Sequence, residues 1–327
     1  MYTRGANKKV FWKCVKGHSW QAKIADRVIK SSGCPICSAA LTVSQAEHDI
    51  ANFLTSQGII LRQSDRNTLD GLELDIYIEG HKLGIEYNGL YWHSESFGKD
   101  SKYHYNKWYV AKQKGIQLIQ IWEDEWKRNP EQIKSMLLHK LKLSGPDKMY
   151  ARNTTIVMLN KARIEEFLEQ NHVQGFAAGT HYLGLVEKDT AELVSVIVLK
   201  KDDKNSLNIV RYATSKNVVG GFTKLLKYAE RNFAPSSFIT FSDNCVSDGG
   251  LYEKNGFIAD KELPPDYRYV FNGNREHKFG YRLKRFKNDP ALKWEEGLTE
   301  RELAKLNNIP RIWDAGKTRW VKQVIGN

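Results

Sequence analysis

Cysteine, proline and methionine are scarce in this chain of 327 residues, which holds 4, 8 and 4 of them. So few cysteines exclude a secreted domain that depends on a framework of disulfides. No run approaches the ~18 consecutive apolar residues that a helix needs to cross a bilayer, and the first residues lack the apolar core of a secretory signal. Since 41% of the residues are hydrophobic and 27% are charged, we expect a globular protein. The lack of an apolar span and of a secretory signal predicts that it is cytoplasmic and does not bind membranes.

Positive charge is concentrated at the two ends of the chain. The formal net charge is +12, with +7 in residues 1–40 and +6 in residues 261–327, whereas residues 41–150 carry −1 and residues 151–260 carry 0. Basic surfaces attract polyanions, and the release of counterions makes nucleic acid their usual partner. The alternative is a solvated, charged surface that only aids solubility.

Three of the four cysteines lie close together near the N terminus. With one histidine they form the pattern C-x3-H-x15-C-x2-C, which consists of Cys14, His18, Cys34 and Cys37. Two close pairs of sulfur and nitrogen ligands, each on a turn, suit a tetrahedral zinc ion. Because all four positions are taken by protein ligands, we expect the Zn²⁺ to be structural.

The residues around these ligands resemble the treble-clef zinc fingers that precede nuclease domains in bacterial and phage proteins. The similarity covers about residues 8–38, including Lys9–Cys14, Gly17–Trp20 and Gly33–Cys37. It implies a small zinc-bound domain whose basic side chains contact phosphate. The basic residues concerned are Lys9, Lys13, Lys16, Lys23 and Arg27.

The spacing of apolar residues predicts two further α/β units. The order α-β-β-α-β-α predicts the first over residues 41–145, and the clearest linker is Ser144–Asp147. The second unit is expected over residues 150–287, and residues 288–327 are expected to be a basic segment that contacts DNA. The expected fold class is therefore a multidomain α/β protein, with a zinc finger in residues 1–40.

Two carboxylates are expected to face each other in the first of these units. If a two-residue loop at Gly80-His81 joins strands at residues 72–78 and 82–87, Asp75 lies opposite Glu86. Opposed side chains share a face with Cβ atoms ~5 Å apart, and a Mg²⁺ ion between two carboxylates would relieve their repulsion. The alternative is that both acids face solvent on a half-exposed sheet.

A histidine follows this pair of acids. The strand is expected to break at Asn88-Gly89, and His93 lies seven residues beyond Glu86. A histidine beside a carboxylate–metal pair can take a proton from water. Taken alone, this signal is weak, because many histidines are ordinary surface or core residues.

These residues resemble the very-short-patch-repair-like endonucleases, which include phage homing endonucleases of the EDxHD type within the PD-(D/E)xK fold. The similarity spans roughly residues 41–143 and rests on Glu86–Gly89, Tyr91–Glu95 and Gly115–Asp124. It implies the following catalytic residues: Asp75 as the principal ligand of a catalytic Mg²⁺, His93 as general base, and Glu86 and Glu47 as assisting acids.

Two positions depart from the pattern of that family. Asn88 stands where the fold has a lysine, so His93 would have to take over the activation of water. Ser94 follows His93 where the family has an aspartate. In addition, Ser44 and Glu47 form the sequence of a capping box, which is the alternative role of Glu47.

The second α/β unit resembles the acyl-CoA-binding core of GNAT acetyltransferases. The similarity lies in Val218–Leu226 and Gly250–Phe257, where glycine at a helix N terminus would expose amides to a pyrophosphate. Phe222 replaces the last glycine of that loop and is expected to crowd the phosphate. The resemblance extends to C-terminal modules of phage endonucleases. It implies an inactive acyltransferase scaffold that binds or positions DNA, with no small-molecule cofactor.

Cations alternate with aromatic residues towards the end of the chain, a combination that suits phosphate contact and stacking. Packing of an amphipathic surface is the alternative for each residue. Together with the helix that follows the carboxylates, this region supplies the remaining predicted DNA contacts: Lys107, Lys284, Arg285, Arg311 and Arg319.

We therefore predict a Mg²⁺-dependent endonuclease that hydrolyses phosphodiester bonds at a specific site in double-stranded DNA. It would act in a bacterial or phage-infected cell, as a monomer or homodimer. Two alternatives stand beside this prediction. One is a GNAT-type acetyltransferase that carries a DNA-binding zinc finger, and the other is a DNA-binding protein whose nuclease domain is inactive.

Overall fold

The structure of the chain, a computed structural model, describes residues 6–15, 17, 19–29, 32–33, 44–143, 148–202 and 204–324. The chain divides into two compact units, Met1–Ile59 and Ile60–Asn327. The domain boundaries that we predicted near residues 40 and 145 stay predictions. No helix within the described ranges is long and apolar enough to cross a bilayer.

The first unit holds a two-stranded hairpin and a longer helix. Strands β1 (Lys9–Lys13) and β2 (Ser19–Lys23) pair in antiparallel register, and the short helix α1 (Ile24–Val28) follows directly. Helix α2 (Gln45–Ser56) buries Ile50, Ala51 and Leu54, which lie at helical spacing. Four residues singled out in the sequence lie outside the described residues: Lys16, His18, Cys34 and Cys37.

The second unit begins with a four-stranded sheet. Its strands are β3 (Arg62–Leu69), β4 (Leu72–Ile78), β5 (Leu83–Asn88) and, after helix α3 (Tyr103–Gln113), β6 (Gln117–Trp122). Strands β3, β4 and β5 are antiparallel neighbours, and β6 is parallel to β5. Helices α4 (Glu123–Arg128) and α5 (Pro130–Lys140) follow β6. The predicted α-β-β-α-β-α order did not include β3, whose residues are mostly polar and exposed.

The remaining strands lie in the carboxy-terminal part of the second unit. In chain order they are β7 (Lys148–Tyr150), β8 (Thr154–Met158), β9 (His181–Glu187), β10 (Leu193–Lys201), β11 (Ser206–Thr214), β12 (Asn217–Val219), β13 (Ser237–Asp243), β14 (Ile258–Leu263), β15 (Tyr267–Phe271), β16 (Asn274–His277), β17 (Arg311–Trp313) and β18 (Lys317–Gln323). The helices of this part are α6 (Lys161–Asn171), α7 (Gly221–Phe233), α8 (Gly250–Glu253), α9 (Leu283–Asn288) and α10 (Glu300–Leu306).

Seven of these strands form one sheet in the order β14-β18-β13-β11-β10-β9-β8. Strands β16, β15 and β17 form a second, smaller sheet, and β7 pairs with β12. Helix α7 covers the large sheet because its apolar residues recur at helical spacing. Those residues are buried in the same core cluster as Phe238 of β13: Phe222, Leu225, Leu226 and Ala229.

The end of the chain differs from the predicted basic tail. Strand β18 lies inside the large sheet, between β14 and β13. Trp320 anchors it, since its ring is buried and its Nε1 donates to the Ser242 hydroxyl at 2.9 Å. Arg319 forms an ion pair with Asp260. Amphipathic packing, which the sequence left open as the alternative, therefore describes β18, and DNA contact by residues 288–327 stays a prediction.

A buried ion cluster joins α4 to β16. Arg275 donates to Asp124 at 2.8 Å and to Glu125 at 2.6 Å, and only 7% of its side chain is exposed. Its guanidinium also lies over the ring of Trp122. Burial disfavours the charge of Arg275, but the two acids outweigh this effect and raise its pKa. Because breaking a buried pair costs about 3–5 kcal/mol, the cluster holds the two parts of the second unit together.

Candidate active-site cleft

The structure brings the two predicted acids together at the hairpin of β4 and β5. The antiparallel register sets Ile76 opposite Ile85, and just beyond this pair the Asp75 amide donates to the Glu86 carboxylate. The turn is a 3-10 turn over Glu79–His81 rather than the two-residue loop that we predicted. The register is the same in both cases, so the acids meet as expected.

Both carboxylates are satisfied by groups of the chain itself. Asp75 accepts from the Tyr87 amide at 2.7 Å, and Glu86 accepts from the Asp75 amide at 3.3 Å. Glu86 also forms an ion pair with Lys107 of α3. Burial raises the pKa of Glu86. Burial also disfavours the charge of Lys107, but the carboxylates of Glu86 and Asp75 outweigh it and raise the pKa of this amine.

The ammonium group of Lys107 therefore compensates the buried charge of Glu86. Nowhere in the described part of the chain do three or more histidine, cysteine or acidic side chains form a group that could hold a metal ion. Glu47 belongs to the first unit and forms the capping box of α2 with Ser44, at 3.1 and 3.3 Å. The structure thus gives Glu47 its alternative role.

His93 and His104 form a chain of hydrogen bonds that ends on a backbone carbonyl. Nδ1 of His104 lies 2.7 Å from the Trp313 oxygen, and its Nε2 lies 3.1 Å from Nδ1 of His93. Because a carbonyl oxygen only accepts, Nδ1 of His104 carries a proton and its Nε2 accepts from His93. Burial lowers the pKa of His93 to about 4 and that of His104 to about 3. Both rings are therefore neutral near pH 7.

The predicted DNA contacts fall into two groups. Lys9, Lys13 and Lys23 are exposed on the β1–β2 hairpin, and Arg27 lies over the ring of Trp12. In the second unit Lys284 is exposed. The others form ion pairs within the fold: Lys107 with Glu86, Arg285 with Glu276, Arg311 with Glu95, and Arg319 with Asp260.

A cavity of about 890 Å³ opens where two parallel strands of the large sheet separate. The ladder between β11 and β13 ends at Ile209 and Thr240. Strand β11 nevertheless continues to Thr214 and β13 to Asp243, each paired only along its other edge. The two strands therefore diverge and line the cavity, which we call the cleft.

A β-bulge explains why the strands separate. In the ladder with β10, Val198 lies opposite Arg211, and the next pair is Leu199 with Ile209, so Val210 is an extra residue on β11. A bulge bends its strand and increases the local twist. The bulge lies directly after the last pair with β13, and it therefore turns β11 away from that strand.

A tyrosine lies at the point of separation. Tyr252 of α8 lines the cleft, and its ring contacts the rings of Phe222 and Trp320. Burial raises the pKa of Tyr252, so the phenol keeps its proton at neutral pH. Gly249 allows this position, because its φ is +80° and a Cβ there would overlap the ring of Trp320.

The start of α7 is built from two glycines. Gly220 has a φ of +79°, and it offers no side chain to cap the helix. At Gly221 an added Cβ would lie 3.0 Å from Val218 and 3.2 Å from the Tyr212 hydroxyl. Phe222 differs from our expectation that it crowds a phosphate. Its ring is 2% exposed and lies in the core on the apolar side of the helix.

Comparison with known families confirms the predicted zinc finger. A family model described as "Probable Treble clef zinc finger domain" matches residues 1–40. The chain thus has a treble-clef zinc finger at this end, which suggests a structural Zn²⁺ ion. No curated protein matches the chain.

Solved structures with a similar fold are acetyltransferases. One is an IAA acetyltransferase from Bacillus cereus, with 16% identity over 52% of this chain and 99% of that one, at a TM-score of 0.30. Another is a GNAT family acetyltransferase from Elizabethkingia anophelis with acetyl-CoA bound, with 16% identity, 52% and 98% coverage, and a TM-score of 0.27. A third is spermidine/spermine N-acetyltransferase from Vibrio cholerae, with 10% identity, 53% and 94% coverage, and a TM-score of 0.31. At these identities the similarity concerns the fold alone, which is GNAT-like.

The predicted endonuclease function is therefore wrong. The structures that share the fold are acetyltransferases, and they conflict with a Mg²⁺-dependent phosphodiester hydrolase of the homing-endonuclease type. The sequence misled us because opposed acids suggest a metal, whereas Lys107 neutralises Glu86. The expected absence of a small-molecule cofactor also conflicts with a neighbour that holds acetyl-CoA. The PD-(D/E)xK core stays a prediction.

The neutral histidine pair makes stability depend on pH. In the unfolded chain a histidine titrates near 6.5, whereas folded His93 and His104 take up protons only near pH 4 and 3. Between about pH 6.5 and pH 4 the unfolded state therefore binds more protons than the folded state does. We expect the free energy of unfolding to decrease through this window and to decrease less in His104→Asn.

Urea unfolding between pH 7 and pH 4 measures this slope, and NMR titration of the ring protons assigns it. Titration of both rings near pH 6.5 in the folded protein would contradict the buried, neutral pair.

Proposed function

We propose that the chain is a GNAT-type acyltransferase, which transfers an acyl group from a coenzyme A thioester to an amine, and that its zinc finger binds nucleic acid. The observation that carries this proposal is the separation of β11 from β13 over the cleft. Beyond Ile209, the edge of β11 that faces β13 has no strand partner among the described residues. An extended ligand that carries amides can pair with such an edge as an added strand does.

The start of α7 supports the same proposal. Coenzyme A carries a pyrophosphate, and helix N termini bind phosphate through exposed amides and the helix dipole. Gly220 leaves the first turn without a side-chain cap, and the ring of Phe222 lies in the core. In this proposal the start of α7 binds the pyrophosphate of the ligand, and the cleft between the strands holds its amide-bearing arm.

Two side chains of the cleft supply the proton transfers that acyl transfer requires. As the bond from the amine nitrogen to the acyl carbon forms and the bond from carbon to sulfur breaks, Tyr252 donates its proton to the departing sulfur. Its raised pKa keeps that proton available at neutral pH. Asp243 takes the proton that the amine nitrogen loses. Both residues line the same cleft.

Replacing Tyr252 by phenylalanine tests this assignment. Since the ring stays and only the proton donor is lost, kcat should fall about 10²-fold, while binding of acetyl-CoA changes little. Release of free thiol from acetyl-CoA, with a panel of primary amines, measures the rate, and calorimetric titration measures binding. Tyr228→Phe is the control, because Tyr228 lies on α7 and away from the cleft lining. Wild-type protein that does not bind acetyl-CoA, or full activity in Tyr252→Phe, would refute the proposal.

The finger has a surface suited to nucleic acid. On one face of the β1–β2 hairpin Lys9 and Lys13 flank Phe11, whose side chain is 76% exposed, and Lys9 lies directly opposite Lys23. Like charges that face each other across a ladder destabilise it. Phosphate groups would relieve that repulsion, and the exposed ring can stack on a base.

Lys9→Gln and Lys23→Gln test this second part of the proposal. Each change should lower the slope of log affinity against log salt concentration by about one unit. Fluorescence anisotropy with a labelled DNA duplex over a range of NaCl concentrations measures the slope. The control is Lys200→Gln, an exposed lysine at the end of β10. If all four proteins give the same slope, the hairpin does not contact DNA phosphate.

A further inference from the structure

Besides Arg275, which is paired with Asp124 and Glu125, two arginines line the cleft from different sheets. Arg211 lies on β11 beside the bulge, and Arg268 lies on β15 in the smaller sheet. After burial, the charge of Arg268 contributes to a lowered pKa of Arg211, which Asp243 and Tyr252 partly offset. Two guanidinium groups that remain charged therefore line one cleft from two sheets.

Arg211 is held in place by backbone carbonyls rather than by an acid. Its Nε donates to Gly175 at 3.1 Å, and one Nη1 hydrogen donates to the carbonyl of Val210 at 2.9 Å. A guanidinium has five N–H donors, so these two bonds leave the Nη2 group for another acceptor. The bulge at Val210 thus both turns Arg211 towards the cleft and supplies the carbonyl that orients it.

The Arg268 side chain has fewer partners within the fold than the Arg211 side chain has. Its side chain is exposed, and it forms no hydrogen bond or ion pair within the part of the chain that the structure describes. Strand β15 fixes its backbone, since Arg268 pairs with His277 on one side and with Ile312 on the other. The side chain is therefore anchored at its base and has its donors available.

The carboxylates of the same cleft already have partners. Asp243 accepts from the Gln174 side chain at 2.8 Å and from the Cys245 amide at 3.0 Å. Asp266 forms an ion pair with Lys278, and Asp314 accepts from the amides of Asp266 and Gly316. Neither Arg211 nor Arg268 forms an ion pair with these carboxylates among the described residues, and an oxyanion is the ligand that suits guanidinium groups.

We propose that Arg211 and Arg268 bind an anionic oxygen group, a carboxylate or a phosphate, of the amine that accepts the acyl group. This inference rests on the proposed function and defines its substrate class. The acceptor carries an amine, which meets Asp243 and Tyr252, and an oxyanion, which meets the two arginines. A neutral amine or a polyamine lacks the second group, so the cleft selects against it.

Matched pairs of acceptors test the inference. β-Alanine and ethylamine differ by a carboxylate, and phosphoethanolamine and ethanolamine differ by a phosphate. We expect the KM of the anionic member of at least one pair to be about tenfold lower than that of its neutral partner. A tenfold difference corresponds to about 1.4 kcal/mol, which the contact between the anion and the arginines would supply. In Arg268→Gln this preference should disappear, whereas the KM for acetyl-CoA stays the same. Arg163→Gln, an exposed arginine of α6, is the control.

A second measurement does not need turnover. Phenylglyoxal modifies accessible arginines, and mass spectrometry reports the modified fraction of Arg268. β-Alanine or phosphoethanolamine should protect Arg268, whereas ethylamine, ethanolamine and acetyl-CoA should not. Arg211→Lys, which keeps the charge but loses the planar fork, should weaken this protection.

The outcomes separate this inference from the proposed function. Protection of Arg268 by the anions without binding of acetyl-CoA would refute the acyltransferase and leave the anion site in place. Protection by acetyl-CoA alone would assign the arginines to the phosphates of the coenzyme and refute the inference. Equal KM values within both pairs, with acetyl-CoA bound and turned over, would refute the inference and keep the proposed function.

Discussion

The separation of two strands at one extra residue is the constraint on which the rest of this protein depends. Val210 adds a residue to β11 immediately after its last pair with β13. From this one bulge follow the cleft, the direction of Arg211, and an edge of β11 that no strand within the described ranges covers. Tyr252 reaches the same point only because Gly249, in a left-handed conformation, lets α8 start against Trp320.

The opposite wall of the cleft comes from distant parts of the chain. Arg275 of β16 forms ion pairs with Asp124 and Glu125. Because all three side chains are largely buried, breaking these pairs would destabilise the fold. The Trp313 carbonyl accepts a hydrogen bond from Nδ1 of His104, while Arg311 binds Glu95 through both carboxylate oxygens. His104 and Glu95 thus hold β17 in place, and β17 in turn lines the cleft.

Much of the local structure could be predicted from the sequence, because it depends on near neighbours. Helix α2 with its capping box at Ser44 and the register that brings Asp75 to Glu86 both follow from spacing. The zinc-finger pattern is equally local, and the family comparison confirms it. Such features are determined by a few consecutive residues, so they can be predicted from the sequence.

The site could not be predicted, because its parts meet only in three dimensions. Nothing in the sequence of β11 marks Val210 as the extra residue, since a bulge depends on the partner strand. The ammonium of Lys107 is twenty-one residues away from Glu86, so the pair of acids looked like a metal site. Likewise, the cations of β18 looked like a tail, whereas Trp320 holds that strand inside the sheet.

Hydrogen–deuterium exchange with and without acetyl-CoA tests the central claim most directly. The account predicts that saturating acetyl-CoA slows exchange in peptides that cover Val210–Thr214, where β11 has left β13. Exchange in β9, on the far side of the sheet, serves as the internal reference. Unchanged exchange at Val210–Thr214, with or without protection elsewhere, would contradict the claim that the separated strands hold the acyl donor.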